Sequence, residues 1–157
     1  MTERSVIHAT VTVERVFRAS PARVFAAWSS AEALSRWMSP VEDWQASYDH
    51  FDFRIGGGDR LRFGPPEGEA YVTESRFLDI VPDVRIISAG SMSTAGTRVT
   101  AGVLTVEFKA AASGCRMTLT EQTAFLDGHE RPEDHEAGWQ EILNKLAVEL
   151  AREQQAA

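Results

Sequence analysis

Residues 132–150 read PEDHEAGWQEILNKLAVEL. Trp139, Ile142, Leu143, Leu146 and Leu150 recur at i, i+3, i+4, i+7 and i+11, which lays one apolar stripe along a helix. Pro132 suits the first turn, where its missing N–H is no loss, and Glu133, Asp134 and Glu136 complement the positive end of the helix dipole. No good N-cap side chain precedes Pro132. Gly138 falls on or beside the stripe, where glycine costs about 1 kcal/mol against alanine. Two readings of it stand: tight packing against a closely approaching sheet, or room for a cavity. Nearly everything upstream reads as strand, so this helix needs a curved sheet to lie on.

Residues 1–9 form a short lead-in, and Thr10 to Arg18 is rich in β-branched residues and reads as a first strand. Ser20-Pro21 starts a short helix, with serine as N-cap and proline at the first helical position. Val24, Phe25 and Trp28 give that helix one apolar face, and Ser29-Ser30 breaks it. Leu34, Trp37 and Met38 mark a second short helix, ended by Ser39-Pro40. Strands and turns follow. Trp44 to Ile55 reads as one long strand with Phe51, Phe53 and Ile55 on one face. Gly56 to Asp59 is a turn, then Asp59–Phe63, Gly68–Ile80 and Val84–Ala89 are strands. Gly90 to Gly96, all small residues apart from Met92, reads as a loop. Thr97–Lys109 and Gly114–Phe125 make a hairpin, and Leu126-Asp127-Gly128 turns the chain into the last helix. Short connections favour a meander, and a sheet with one apolar face needs a cover, which only the long helix supplies.

At 157 residues the chain is expected to be one domain with a real core. Apolar content of 43% and charged content of 25% are ordinary for a soluble globule. A net charge of -7 argues against nucleic acid and anionic membrane surfaces as partners. No apolar run approaches the roughly 18 residues of a membrane span, and the first residues lack a signal-peptide layout. Cys115 is the single cysteine, so no internal disulfide forms, and its strand setting suits a small core residue. These features lead us to expect a soluble cytoplasmic protein.

Several stretches together carry a resemblance: Glu14 to Pro21 leading to Val24-Phe25-Ala26-Ala27-Trp28, Arg36-Trp37-Met38-Ser39-Pro40, Asp52 to Gly57, Leu119-Thr120-Glu121-Gln122, and Gly138-Trp139 with the helix beyond. In this order and spacing the chain resembles the helix-grip superfamily of START and birch-pollen-allergen-like (SRPBCC) domains. Within it the match is to the family named after the activator of the 90-kDa heat-shock chaperone's ATPase. That family usually shows a second aromatic where Met38 stands. The resemblance implies an α+β helix-grip fold: a curved antiparallel sheet of six to seven strands wrapped around a long C-terminal helix, with two short helices after the first strand. Superfamily relatives bind sterols, lipids, plant hormones or polyketides between helix and sheet, and some are polyketide cyclases or aromatases. The eukaryotic co-chaperone carries an additional chaperone-binding domain, for which this chain is too short.

The residues themselves carry little recognisable chemistry. Ile55 to Arg60 has three glycines but neither a phosphate-loop pattern nor a following helix, so it reads as a tight turn. His8, His50, His129 and His135 form no metal-binding motif, and no nucleophile elbow is present. No metal, cofactor or catalytic residue is therefore assigned. Asp52 and Arg54, two apart, suit a sheet-surface ion pair. Glu121 differs. Cys115, Met117, Leu119, Glu121, Thr123 and Phe125 share one strand face by period two, which aims Glu121 inward. An inward carboxylate either orients a ligand or acts as an acid or base in a cavity, or it pairs internally with an arginine or histidine, or lies exposed at the sheet's end. Trp28, Trp37, Phe51, Phe63, Tyr71, Met117 and Trp139 are expected to wall a cavity whose ligand Glu121 orients. The expected partner is a small apolar or amphipathic molecule. A protein-interaction module with a chaperone partner or a stress-response role, and a cyclase or hydrolase using Glu121, are the other two readings. A homodimer is compatible with all three.

Overall fold

The structure, a computed structural model, describes residues 3–156. Alternating apolar and polar residues build seven strands: β1 (Val6–Phe17), β2 (Gln45–Phe51), β3 (Gly58–Gly64), β4 (Tyr71–Val81), β5 (Arg85–Thr94), β6 (Thr97–Ala111) and β7 (Gly114–Leu126). Helices α1 (Pro21–Trp28) and α2 (Ala31–Trp37) follow β1, and α3 (Pro132–Ala156) ends the chain. The strands form one antiparallel sheet in the order β1-β7-β6-β5-β4-β3-β2. β2 to β7 are therefore a meander, and β1 closes the far edge by pairing with β7 from Val6–Leu126 to Phe17–Cys115.

Inward residues of neighbouring strands meet in register, as in the row Ile86, Val106, Leu119 and Val13. Against this face α3 buries Ile142, Leu143, Leu146 and Leu150, the stripe its spacing requires. α1 and α2 plug one end. Ser20 and Ser30 cap them by accepting the N–H of Arg23 and Ala33 at 3.2 and 3.1 Å. Trp28 and Trp37 meet edge to face at 4.8 Å, and the Trp37 indole donates to the Ala27 carbonyl, tying the two helices together. The start of α3 uses a different device. The Asp134 carboxylate reaches back to accept the Arg131 N–H at 3.1 Å, the acidic half of a capping box.

Four local expectations change. β1 begins at Val6 rather than Thr10, because β7 continues far enough to pair with the whole stretch; Met1 and Thr2 of the lead-in lie outside the described residues. The strand expected over 44–55 ends at Phe51. A register shift follows Tyr48, the backbone of Asp52 to Gly57 turns on itself, and Ile55 is exposed instead of sharing a face with Phe51 and Phe53. Asp52 and Arg54 do pair, at 2.8 Å, on that turn and not on a strand. The loop expected over Gly90–Gly96 is mostly strand, with β5 running to Thr94 and only Ala95-Gly96 turning the chain, both at positive φ as a two-residue hairpin requires. Gly90 belongs in the strand because a Cβ there would stand 2.0 Å from the Glu74 carbonyl oxygen. It pairs with Gly102, where a Cβ would stand 2.2 Å from the Gln122 oxygen.

Candidate functional site: a cavity under the last helix

Ser75, Gly90, Gly102 and Thr123 are successive partners across β4 to β7. This row of small residues makes a low floor. Above it, the first half of α3 presents His135, Gly138, Trp139 and Ile142 on successive turns. The space between is a cavity of about 470 Å³, partly open to solvent, within the size range of small-molecule pockets. Gly138 adds room at the helix side: its nearest neighbour beyond α3 is Pro40, which an added Cβ would meet at an ordinary 3.5 Å.

Aromatic rings stand at one wall. Tyr71 stacks on Phe63 at 5.4 Å and on Trp44 at 6.0 Å, so the three form one shelf. Trp44 precedes β2 and is held by a short relay: Lys145 Nζ donates to Ser39 Oγ at 2.8 Å, and that hydroxyl donates to the Trp44 carbonyl at 3.1 Å. Deeper in, Phe51 meets Tyr48 and Phe77 edge to face. Trp28 also lines the cavity, is only 6% exposed, and its indole N–H has no acceptor among the described residues.

Two acidic centres face this space. On the α3 side, His135 Nδ1 lies 2.8 Å from Glu121 and Nε2 lies 2.6 Å from Glu130. Both ring nitrogens then donate only if the ring is an imidazolium. Burial pulls the His135 pKa down, but hydrogen bonds and charge from Glu121 and Glu130 outweigh it and raise it to about 9. Phe125 packs edge to face on the same ring at 4.9 Å. On the opposite side, burial pushes the Asp59 carboxyl up to about 6, against the nearby charge of His50 and a hydrogen bond from Ser75. Tyr48 is pushed up by its burial and then by Asp59. On the aromatic shelf, burial raises the Tyr71 pKa, and the charges of Glu130 and Asp134 raise it further.

Of the residues expected to wall the cavity, Trp28, Phe51, Phe63, Tyr71, Glu121 and Trp139 line it. Trp37 and Met117 are a correction: neither lines it, and at 1% and 0% exposure both are core. Trp37 is held away by the α1–α2 contact, and Met117 pairs across the sheet with Phe108, which packs on Phe25 of α1, so it belongs to the core at the α1 end. Glu121 points inward and takes the internal pairing with a histidine. The sequence reading passed over His135, Glu130, Asp134, Trp44, Tyr48 and Asp59. Signals for two of them were present: His135 lies four residues before Trp139 on the α3 stripe, and Asp59 alternates with Leu61 and Phe63. Glu121, His135 and Glu130 do not form a metal site, since the carboxylates take opposite ring nitrogens and cannot converge on one ion; no metal-binding group of three occurs among the described residues. No described helix is long and apolar enough to cross a membrane.

A curved seven-stranded sheet gripping a long terminal helix over an open cavity defines a helix-grip protein of the START-like superfamily, a fold known for ligand binding or protein interaction. The chain belongs to the family described as Activator of Hsp90 ATPase homolog 1-like protein, whose pattern matches residues 18–151. It is similar to solved structures of a Rhizobium leguminosarum protein (39% identity, TM-score 0.88, covering 96% of this chain and 99% of that one) and a Rhizobium loti protein (38%, 0.82, 92% and 99%). A Chromobacterium violaceum protein is 26% identical with a TM-score of 0.80, over 88% of this chain and 94% of that one. No curated protein matches the chain.

Proposed function

We propose that the chain acts as one domain that binds a small apolar or amphipathic molecule between sheet and α3. The observation that carries this is the cavity itself: solvent-open, floored by small residues and walled by aromatic rings. Such a space, roofed by an interrupted helix stripe, is what ligand burial requires and what a packed interaction module would lack. Trp28, Phe51, Phe63, Tyr71 and Trp139 supply the walls, and Glu121, fixed by His135, orients the ligand. The partner-protein reading draws on the family's name alone, and the described exposed apolar side chains are spread over several elements. Native mass spectrometry of the protein purified from its own host, with organic extraction, tests the proposal. The expected result is one small molecule per chain. An empty protein that also fails to take up a hydrophobic dye would overturn it and favour pull-downs for a protein partner.

A further inference from the structure

The charges around the cavity have one sign in excess. Asp59, Glu121, Glu130 and Asp134 line it, whereas among the described residues no lysine or arginine does; of the two histidines in the lining, His135 is already engaged by two of the carboxylates and His129 is exposed to solvent. Asp134 has Arg131 beside it at 3.7 Å, but that guanidinium is 76% exposed and outside the lining. An anionic headgroup entering here would meet the repulsion of four carboxylates in a partly desolvated setting, with no lysine or arginine in the lining to offset it. A cation would meet the opposite field, together with the faces of Trp44 and Tyr71, beside the Glu130 and Asp134 carboxylates whose charge Tyr71 feels.

Resting on the ligand-binding reading above, we propose that the ligand is a cationic amphiphile: an apolar body in the aromatic-walled cavity and a protonated amine seated between the Trp44–Tyr71 shelf and the carboxylates of Glu130 and Asp134. Fatty acids and other carboxylate-headed molecules are disfavoured by the same field.

Titration calorimetry at neutral pH with octylammonium, 1-octanol and octanoate tests the head-group choice on one shared tail. The amine should bind about tenfold or more tighter than octanoate, with the alcohol between them. In the variant Asp134→Asn, whose amide oxygen can still accept the Arg131 N–H, the amine should lose several-fold of that advantage while 1-octanol binding stays unchanged, which also shows that the cavity is intact. Equal binding of all three probes, or tighter binding of octanoate, overturns the charge selection and leaves the cavity reading standing. An equal loss of amine and alcohol in the variant also overturns it. Failure of every probe to bind overturns both.

Discussion

His135 meets a carboxylate at each ring nitrogen, and its protonation therefore belongs to the folded state. Its pKa rises from an ordinary value near 6.5 to about 9 on folding. A raised histidine contributes stability that is complete below about 6.5 and disappears as pH climbs through about 9, on the order of 3 kcal/mol in all. Asp59, raised to about 6, acts in the same direction at lower pH, since its charged form is favoured by unfolding. Urea unfolding at a series of pH values, comparing the wild type with His135→Gln, separates the two. The wild type should lose stability between pH 6.5 and 9, and the variant should be flat across that window while keeping the Asp59 segment below it. A wild type equally flat between 6.5 and 9 would mean that the imidazolium is not held. At this scale the sequence was partly legible. Period two in β7 placed Glu121 inward, because alternation depends only on the pleat. It could not name His135 as its partner, since the pair joins a strand and a helix 14 residues apart across a turn of positive-φ Asp127 and Gly128.

Two glycines on different elements do opposite work, and substitution distinguishes them. Gly138 lies in a helix with a negative φ, and a Cβ would meet Pro40 at 3.5 Å, so nothing must shift. Gly138→Ala should therefore raise stability by about 0.5–1 kcal/mol through helix propensity while narrowing the mouth, visible as a higher urea midpoint with weaker uptake of a hydrophobic dye. Gly90→Ala should do the reverse. Its Cβ would stand 2.0 Å from a backbone oxygen in the paired strand, so the sheet must move, at a cost of about 1–3 kcal/mol or more. Equal effects of the two would refute the distinction between cavity and crowding. The same pair explains what the sequence could tell about elements. α3 was legible because five apolar residues repeat on one face, whatever they pack against. β5 was misread past Ala89 because a run of small residues looks like a flexible loop. In this fold smallness is required within the strand itself, where neighbouring backbones come close and the cavity needs a floor.

Across the whole molecule α3 is held along one half and roofs an open space along the other. Leu143, Leu146 and Leu150 are fully or nearly fully buried, and the buried carboxylate of Glu149 binds Arg36 at 2.7 Å and Arg152 at 2.9 Å, locking α2 to the helix. The first half is tied to the sheet at its margins, by His135 to Glu121 of β7 and by Gln140 and Asn144 to Arg15 of β1, and between these ties it spans the cavity, so that a ligand would add contacts beneath it. Binding to the folded state alone raises stability by about 2.7 kcal/mol at a hundred times Kd, which for a chain of this size corresponds to a rise in Tm of roughly 5–10 °C. Hydrogen exchange should place the gain in amides of the first half of α3, with little change in β1 and β7, whose pairing is already complete. The void and its ligand can also be separated. Ser88 is nearly buried on the cavity floor beside Leu104, and Ser88→Leu directs an apolar side chain into the empty space. If the fold keeps that space for a ligand, the variant should melt no lower than the wild type yet lose the ligand-induced shift, because it supplies its own filling. A variant that keeps the full shift would show that the probe binds elsewhere, and one that melts well below the wild type would show that the space is already occupied by packed side chains.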